Sequence, residues 1–187
     1  MSRVGKKLIL IPAGVKVEIK GQDVSVAGPK GQLGFKVPDG VIAEIKDGSL
    51  SFSLESKIEK RRLKKIPALW GLARNHIANL IEGVVNGYQK ALEFEGLGYR
   101  AQIENGDLVL WVGFSHPLRV KKAEGIEFSV EKNVIRISGI DKSLVGQTAA
   151  KIRKLRPPDA YKAKGIRYFG EVIKKKAGKK ATTATTK

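Results

Sequence analysis

Apolar and polar residues alternate along two long stretches of the chain, which is typical of half-buried β-strands. In the first stretch, residues 15–55, short alternating runs are separated by turn sequences rich in Gly, Asp and Pro. Gly21-Gln22-Asp23 separates the first two runs and predicts a β-hairpin, and Pro38-Asp39-Gly40 is a strong turn signal further along. We therefore expect a series of short antiparallel strands with apolar residues at these alternating positions: Val15, Val17, Ile19, Val24, Val26, Leu33, Phe35, Val37, Val41, Ala43, Ile45, Leu50, Phe52 and Leu54.

The second stretch, residues 99–138, repeats this pattern. Asn105-Gly106-Asp107 takes the place of the first hairpin turn, and Ser115-His116-Pro117 interrupts the chain before the next alternating run. Turns at Glu124-Gly125 and Glu131-Lys132-Asn133 then separate the remaining runs. The order of strands and the spacing of turns match the first stretch.

An amphipathic helix is predicted after each set of strands. Residues 68–80 and 143–155 share identities at a constant offset of 75 residues, at these pairs: Leu69 and Leu144, Gly71 and Gly146, Ile77 and Ile152, Leu80 and Leu155. Chance similarity between two amphipathic helices is the alternative, but the matching strand patterns favour a duplicated unit. The first copy carries an insertion, mainly the basic residues 57–65, before its helix.

The predicted fold class is α+β: two tandem duplicated domains, each a small antiparallel sheet packed on one helix, with a basic C-terminal extension. The first helix is expected to end between Gly83 and Gly87. The second is expected to begin at Asp141 or Ser143 and to be stopped by Pro157-Pro158. We place the domains at residues 1–82 and 83–170, and expect a partly disordered basic tail over 171–187.

Composition excludes several classes of function. The chain of 187 residues has 42% hydrophobic residues, which suffices for a buried core, and it has no Cys and only 2 His. Disulfides, thiol catalysis, cysteine-ligated metals and histidine-rich metal sites are therefore excluded, and no cofactor is expected. No apolar run approaches the roughly 18–20 residues that span a bilayer, and the apolar run before Pro12 is too short for a secretory signal. We expect a soluble cytoplasmic protein with neither a membrane partner nor a small-molecule substrate.

The charge is strongly positive and unevenly distributed. The net charge is +18, and residues 151–187 carry 13 Lys and Arg against only Asp159 and Glu171. A solubilising surface would normally mix charges of both signs. A concentration of one sign in a short terminal segment instead favours binding of a polyanion, in particular a nucleic acid.

Enzyme chemistry has little support in the sequence. His76 lies on the first predicted helix and His116 in a turn of the other predicted domain, and neither has metal-ligand spacing. Ser115 beside His116 lacks an evident carboxylate to orient the ring. A catalytic site stays open only if a pocket brings a histidine to a carboxylate.

The C-terminal segment 155–176 is the most informative part of the chain. It is expected to form a compact loop in which cations alternate with tyrosines, and Gly165 would let the backbone come close to another surface. Phosphates, 2′-hydroxyls and exposed bases of RNA suit such a surface. The helix C-terminus and the N-terminus add further basic residues, although cations at a helix C-terminus also favour its dipole. The predicted RNA-binding residues are Lys151, Lys154, Arg156, Tyr161, Lys162, Lys164, Gly165, Arg167, Tyr168, Lys174, Lys175, Lys176, Lys179, Lys180, Arg3, Lys6 and Lys7.

Four motifs resemble one known family. The sequence PDAYKAKGI (158–166) is similar to the signature of the sixth protein of the bacterial large ribosomal subunit. MSRVGKK at the start, GYRAQ (98–102) and VGFSHP (112–117) agree with that family in order and spacing. Ala163 departs from the pattern, because the family often has Gly there. The resemblance covers roughly residues 1–176.

The resemblance implies a structural protein without enzymatic activity. The family binds the large-subunit (23S) ribosomal RNA, mostly through its C-terminal domain, near the stalk base and the region where translation factors dock. Its implied partners are that RNA, neighbouring ribosomal proteins and, as further candidates, translation factors. From the residues alone, two other classes stay open: a general nucleic-acid chaperone or DNA-compacting protein, and a protein-interaction scaffold that uses the strand faces.

Overall fold

The computed structural model describes residues 3–46, 48–54 and 66–176. The insertion 57–65, Lys179, Lys180 and the terminal residues of the tail, for which the sequence makes predictions, lie outside the described residues. The described residues form thirteen strands and two helices. Their bounds are β1 Ile9–Leu10, β2 Lys16–Lys20, β3 Asp23–Gly28, β4 Gly31–Lys36, β5 Val41–Lys46, β6 Ser49–Leu54, α1 Ile66–Val85, β7 Tyr88–Glu95, β8 Arg100–Glu104, β9 Asp107–Trp111, β10 Leu118–Val120, β11 Ile126–Glu131, β12 Val134–Gly139, α2 Lys142–Leu155 and β13 Gly165–Tyr168.

The chain divides into two compact units. Unit 1 comprises the residues up to Tyr88 together with Gly139–Val145, and unit 2 comprises Gln89–Ser138 together with the residues from Gly146 onward. The domain boundaries given by the sequence pattern stay a prediction. Neither helix of the described part of the chain has the length and apolar character that crossing a membrane would require.

Unit 1 consists of two small antiparallel sheets and one helix. The strand orders are β1-β6-β5 and β2-β3-β4. The expected hairpin is present, with Val17 paired to Val26 and Val24 paired to Phe35 in register. Helix α1 packs against strands of both sheets, and its Ile77 is fully buried together with Val26 and Leu50. The alternation of apolar residues along the strands thus supplies the core that the helix covers.

Unit 2 repeats this topology strand for strand. Its sheets have the orders β10-β9-β8 and β11-β12-β7-β13. When each strand number of unit 1 is raised by six, β1-β6-β5 becomes β7-β12-β11 and β2-β3-β4 becomes β8-β9-β10. Written from the other end, these are the orders of unit 2, apart from the added β13. The prediction of a duplicated α+β fold is confirmed, with two small sheets in each unit where the sequence suggested one.

Helix α2 begins and ends at the residues that the sequence indicates. Asp141 caps its N-terminus, because the carboxylate oxygen Oδ1 accepts a 2.7 Å hydrogen bond from the backbone N–H of Ser143. The last helical residue is Leu155, before the two prolines. The buried face of the helix contains Val145, Ala149 and Ile152.

Strand β13 replaces the loop that was expected over residues 155–176, so that expectation is wrong for Gly165–Tyr168. The strand pairs antiparallel with β7, and Ile166, opposite Phe94, is fully buried. Ile166 therefore anchors the segment through the hydrophobic effect and through sheet hydrogen bonds. Residues 161–170 contain two tyrosines, three cations and two glycines, so the alternation of apolar and polar residues that predicts a strand is not visible there.

Candidate nucleic-acid interface

A tight loop over residues 156–164, the lysine loop, connects α2 to β13 and holds two of the predicted RNA-binding lysines. The carbonyl oxygen of Lys164 accepts a 2.9 Å hydrogen bond from the N–H of Asp159, and the carbonyl oxygen of Asp159 accepts one of 2.9 Å from the N–H of Ala163. The Asp159 carboxylate accepts a further bond, 3.2 Å long, from the N–H of Lys162. This network fixes the backbone of the loop, while the side chains of Lys162 and Lys164 are exposed.

Two residues with positive φ close the loop. Ala163 is buried and has φ 59°. This left-handed conformation costs about 1–2 kcal/mol for a residue with a Cβ. Gly165 has φ 145°, and a Cβ there would lie 2.6 Å from both the Pro157 carbonyl oxygen and the Pro158 Cα. The close approach that Gly165 permits is therefore to the chain's own backbone at Pro157-Pro158, the proline loop. A contact of Gly165 with RNA stays a prediction.

Two of the C-terminal arginines form ion pairs that fix the segment. The Arg153 guanidinium donates to both carboxylate oxygens of Glu171, at 2.6 and 3.2 Å. Arg167, only 21% exposed, pairs with Glu93 at 3.1 Å and with Glu95 at 3.2 Å. Arg167 thus binds strand β13 to β7, and its predicted contact with RNA stays a prediction.

The Glu171 carboxylate has a lowered pKa. The hydrogen bond from Arg153 is the main cause, and the backbone N–H of Tyr168 adds a 2.9 Å hydrogen bond to the same carboxylate. The same pairing raises the pKa of Arg153. Because both donors favour the charged carboxylate, the pair stabilises the fold only while Glu171 is ionised.

This pair gives a pH-dependent prediction. The folded-state pKa of Glu171 lies below its unfolded value of about 4.3, so the stabilisation is complete above that value and is lost as the pH falls through the folded pKa. We expect Glu171→Gln to reduce the free energy of unfolding by about 1 kcal/mol near neutral pH. The difference from the unmodified chain should shrink in acid, as measured by urea unfolding over a pH series. Glu124→Gln, at an exposed turn position, is the control, and an equal pH dependence for both variants would contradict the assignment.

Most of the other predicted RNA-binding cations are exposed. Within residues 3–46, 48–54 and 66–176, no carboxylate forms an ion pair with any of them. On unit 2 these residues are Lys151, Lys154, Arg156, Lys162, Lys164, Lys174, Lys175 and Lys176, and on unit 1 they are Arg3, Lys6 and Lys7. The structure therefore divides the C-terminal cations into arginines that fix the fold and cations that face solvent.

The two predicted tyrosines differ in their surroundings. Tyr161 is 59% exposed, so its ring is accessible to a partner. Tyr168 is half-buried, and the Arg153 guanidinium lies 5.4 Å from its ring centroid. Tyr168 therefore contributes to the packing around the Arg153–Glu171 pair, and its predicted role in RNA binding stays a prediction.

A cleft of about 430 Å³ opens beside the lysine loop. Three separate segments of unit 2 form it: the connection between β7 and β8, the residues after β9, and the loop after α2. Its lining residues are Gly96, Leu97, Tyr99, Gly113, Arg156, Pro157, Asp159, Lys162 and Lys164. The motifs at 98–102, 112–117 and 158–166, which lie far apart in sequence, thus come together around one site.

Sequence reasoning did not identify the residues of this cleft outside the C-terminal segment. Leu97 is 93% exposed and Tyr99 lines the wall, but the alternating pattern assigns neither to a site. Phe114 is also outside the predicted set, although the Arg156 guanidinium lies 5.5 Å from its ring centroid. The only available signal was that two of the resembling motifs contain Tyr99 and Phe114.

Among the residues that the structure describes, no group of three or more His, Cys, Asp or Glu is placed to hold a metal ion. His76 stacks on Phe35 in unit 1, with ring centroids 4.3 Å apart. His116 is exposed in unit 2, and its Nδ1 lies 3.5 Å from the Ser115 hydroxyl.

A model of a known protein family matches both halves of the chain. The family model for ribosomal protein L6 matches residues 11–87 and 95–169. These two segments contain the repeated strands and helices of the two units. The match extends through the lysine loop and strand β13.

Curated relatives are similar over almost the full length. A protein of Synechococcus elongatus named large ribosomal subunit protein uL6 is 50% identical over 182 residues, which cover 96% of this chain and 98% of the relative. Proteins of the same name from Syntrophomonas wolfei and Caulobacter vibrioides are 49% identical over 180 residues and 46% identical over 181 residues. Each alignment covers 96% of this chain and at least 98% of the relative. The chain therefore belongs to the ribosomal protein L6 family, as the resemblance of its motifs predicted.

Proposed function

We propose that the chain is a structural constituent of the large ribosomal subunit that binds 23S ribosomal RNA near the factor-binding region and the stalk base. Membership of the ribosomal protein L6 family makes it a ribosomal protein, which confirms the prediction that it is not an enzyme. The same membership supports ribosomal RNA, neighbouring ribosomal proteins and translation factors as partners. The ribosome of the cytoplasm is its proposed location.

One observation carries the choice of RNA-binding surface. Exposed cations without carboxylate partners, among the described residues, lie on the loop between α2 and β13 and on the chain before and after it, whereas Arg153 and Arg167 are half-buried and neutralised. Cations held in this way attract phosphates, and each phosphate contact releases condensed counterions. We therefore infer electrostatic anchoring by the C-terminal segment, combined with a fit between the rigid loop and one folded RNA site.

The Lys164 side chain tests this surface. Lys164→Glu replaces an exposed cation at the cleft by an anion, and we expect about tenfold weaker binding to 23S ribosomal RNA. The matched control is Lys46→Glu, since Lys46 is also exposed but lies on β5 of unit 1 and is already paired with Glu44 at 2.7 Å. Filter-binding titrations of both variants would measure the difference. Equal losses of affinity would contradict the proposed surface.

Salt dependence and competition separate this function from nonspecific nucleic-acid binding. About six phosphate contacts would give a slope on the order of −4 to −5 for the logarithm of the binding constant against the logarithm of salt concentration. An unrelated RNA duplex should compete poorly with 23S ribosomal RNA. Effective competition would favour a general nucleic-acid chaperone, and loss of the chain from large subunits in a high-salt wash would argue against stable incorporation.

A further inference from the structure

The cleft beside the lysine loop has apolar walls that a phosphate contact would leave unused. Leu97 is 93% exposed at its edge, and Phe114 is 43% exposed nearby. Tyr99 packs closely against two glycines, since a Cβ on Gly96 would lie 2.6 Å from its ring and one on Gly113 would lie 3.4 Å from it. These glycines allow the ring to form a fixed wall.

Arg156 is held in this cleft by neutral groups. Its Nε donates a 3.2 Å hydrogen bond to the Tyr99 hydroxyl oxygen, and its guanidinium lies 5.5 Å from the Phe114 ring centroid. Over the described ranges, Arg156 has no ion pair with a carboxylate, unlike Arg153 and Arg167. A planar cation is thus positioned by aromatic residues and keeps N–H donors for a ligand.

The charge of the cleft suits one phosphate group. Arg156, Lys162 and Lys164 line it together with a single carboxylate, that of Asp159. The Asp159 carboxylate accepts the N–H of Lys162 and so belongs to the loop structure. The lining keeps a net positive charge next to its apolar wall.

We propose that this cleft receives a single unstacked nucleotide of the bound RNA, with its base on the Arg156 guanidinium and Leu97 and its phosphate beside Lys162 and Lys164. The inference deepens the proposed function and rests on it. The volume of about 430 Å³ lies in the range of small-molecule sites. A base has two apolar faces that stack on guanidinium planes and cover exposed apolar side chains. A phosphate alone would neutralise the cations and leave Leu97 in water.

Mononucleotide titrations test the cleft without any ribosomal RNA. Adenosine monophosphate, uridine monophosphate and ribose 5-phosphate are added to the full chain, and backbone amide shifts are followed by NMR. The nucleotides are expected to shift the amides of Leu97, Tyr99 and Lys162 and to bind at least about fivefold more tightly than ribose 5-phosphate, because only they carry a base. Equal affinity for all three, or shifts away from the cleft, would overturn the inference.

Two variants distinguish the contribution of the base to binding from that of the phosphate. Arg156→Lys keeps the charge and removes the planar group, and Leu97→Ala removes exposed apolar surface with little effect on folding. Both are expected to remove most of the preference for nucleotides over ribose 5-phosphate. Lys162→Gln should weaken all three ligands alike. If the preference survives both of the first two variants, the base does not bind as proposed.

Binding to 23S ribosomal RNA distinguishes this inference from the proposed function. Arg156→Lys should weaken that binding at least about fivefold without changing the salt slope, whereas Lys162→Gln should reduce the magnitude of the slope by about 1. Tight RNA binding that is unaffected by Arg156→Lys and Leu97→Ala would overturn the inference alone. Nucleotide binding in a chain that does not bind 23S ribosomal RNA would instead contradict the proposed function.

Discussion

Gly165→Ala is expected to reduce the free energy of unfolding by about 3 kcal/mol or more. The new Cβ would lie 2.6 Å from the Pro157 carbonyl oxygen and 2.6 Å from the Pro158 Cα, and both are backbone atoms that cannot rotate away. Alanine would also have to adopt φ 145°, a conformation that residues with a Cβ rarely adopt. Urea unfolding measures the loss. Faster hydrogen exchange at the Ile166 amide, which donates to the Arg156 carbonyl oxygen at 2.8 Å, would locate it at β13.

Gly170→Ala is the matched control for Gly165→Ala. Gly170 also has a positive φ, 78°, but no atom lies within 4 Å of a Cβ built there. Its substitution adds backbone strain of only about 1 kcal/mol and no overlap. Similar losses of stability in the two variants would show that strain at φ, and not the proline loop, explains the need for glycine at position 165.

Gly165→Ala is also expected to weaken RNA binding. Relief of the overlap requires movement of the loop between Pro157 and Gly165, which includes Lys162 and Lys164. Under conditions where the variant is still folded, its affinity for 23S ribosomal RNA should therefore fall as well. The Gly170→Ala variant should bind as the unmodified chain does.

Local structure could be predicted from the sequence because its signals are local. Alternating apolar residues gave the hairpin in which Val24 and Val26 are buried, and Asp141 and Pro157 marked the ends of α2. The offset of 75 residues between Gly71 and Gly146 indicated the duplication, which the two matching strand orders bear out. Each of these signals depends on residues within one element or on a comparison of two elements.

The contacts that build the candidate site join residues far apart in the sequence. The pattern of apolar and polar positions could not predict them. Arg167 and its partner Glu93 are 74 residues apart, so the count of basic residues included Arg167 among the free cations. Leu97 belongs to a short connection where exposure does not follow a period, and its place beside Arg156 depends on the folding of three segments. The sequence predicts that Gly165 lets the backbone come close to another surface, but it could not show that the chain's own backbone at Pro157 and Pro158 lies there.

Gly83→Ala should destabilise unit 1 strongly, although alanine usually favours a helix. Gly83 is buried near the end of α1, and an added Cβ would overlap the Ile140 carbonyl oxygen and approach the Tyr88 ring to 3.1 Å. The helix preference for alanine contributes at most about 1 kcal/mol in the opposite direction. We expect a net loss of about 3 kcal/mol, because backbone of Gly139–Val145 must move away from the helix. The fluorescence of Trp70, on α1, in a Trp111→Phe background reports the unfolding of this unit.

Gly146→Ala is the control for Gly83→Ala, because we expect it to raise the free energy of unfolding. The comparison tests whether the contact with Ile140 causes the loss at position 83. Gly146 lies inside α2, and no atom is found within 4 Å of a Cβ placed there. Alanine at this position should increase the free energy of unfolding by about 0.5–1 kcal/mol through helix propensity. If both helical substitutions stabilise the chain, the contact between Gly83 and Ile140 does not constrain the helix. Opposite signs would show that a backbone contact requires glycine at position 83 and that packing makes no such requirement at position 146.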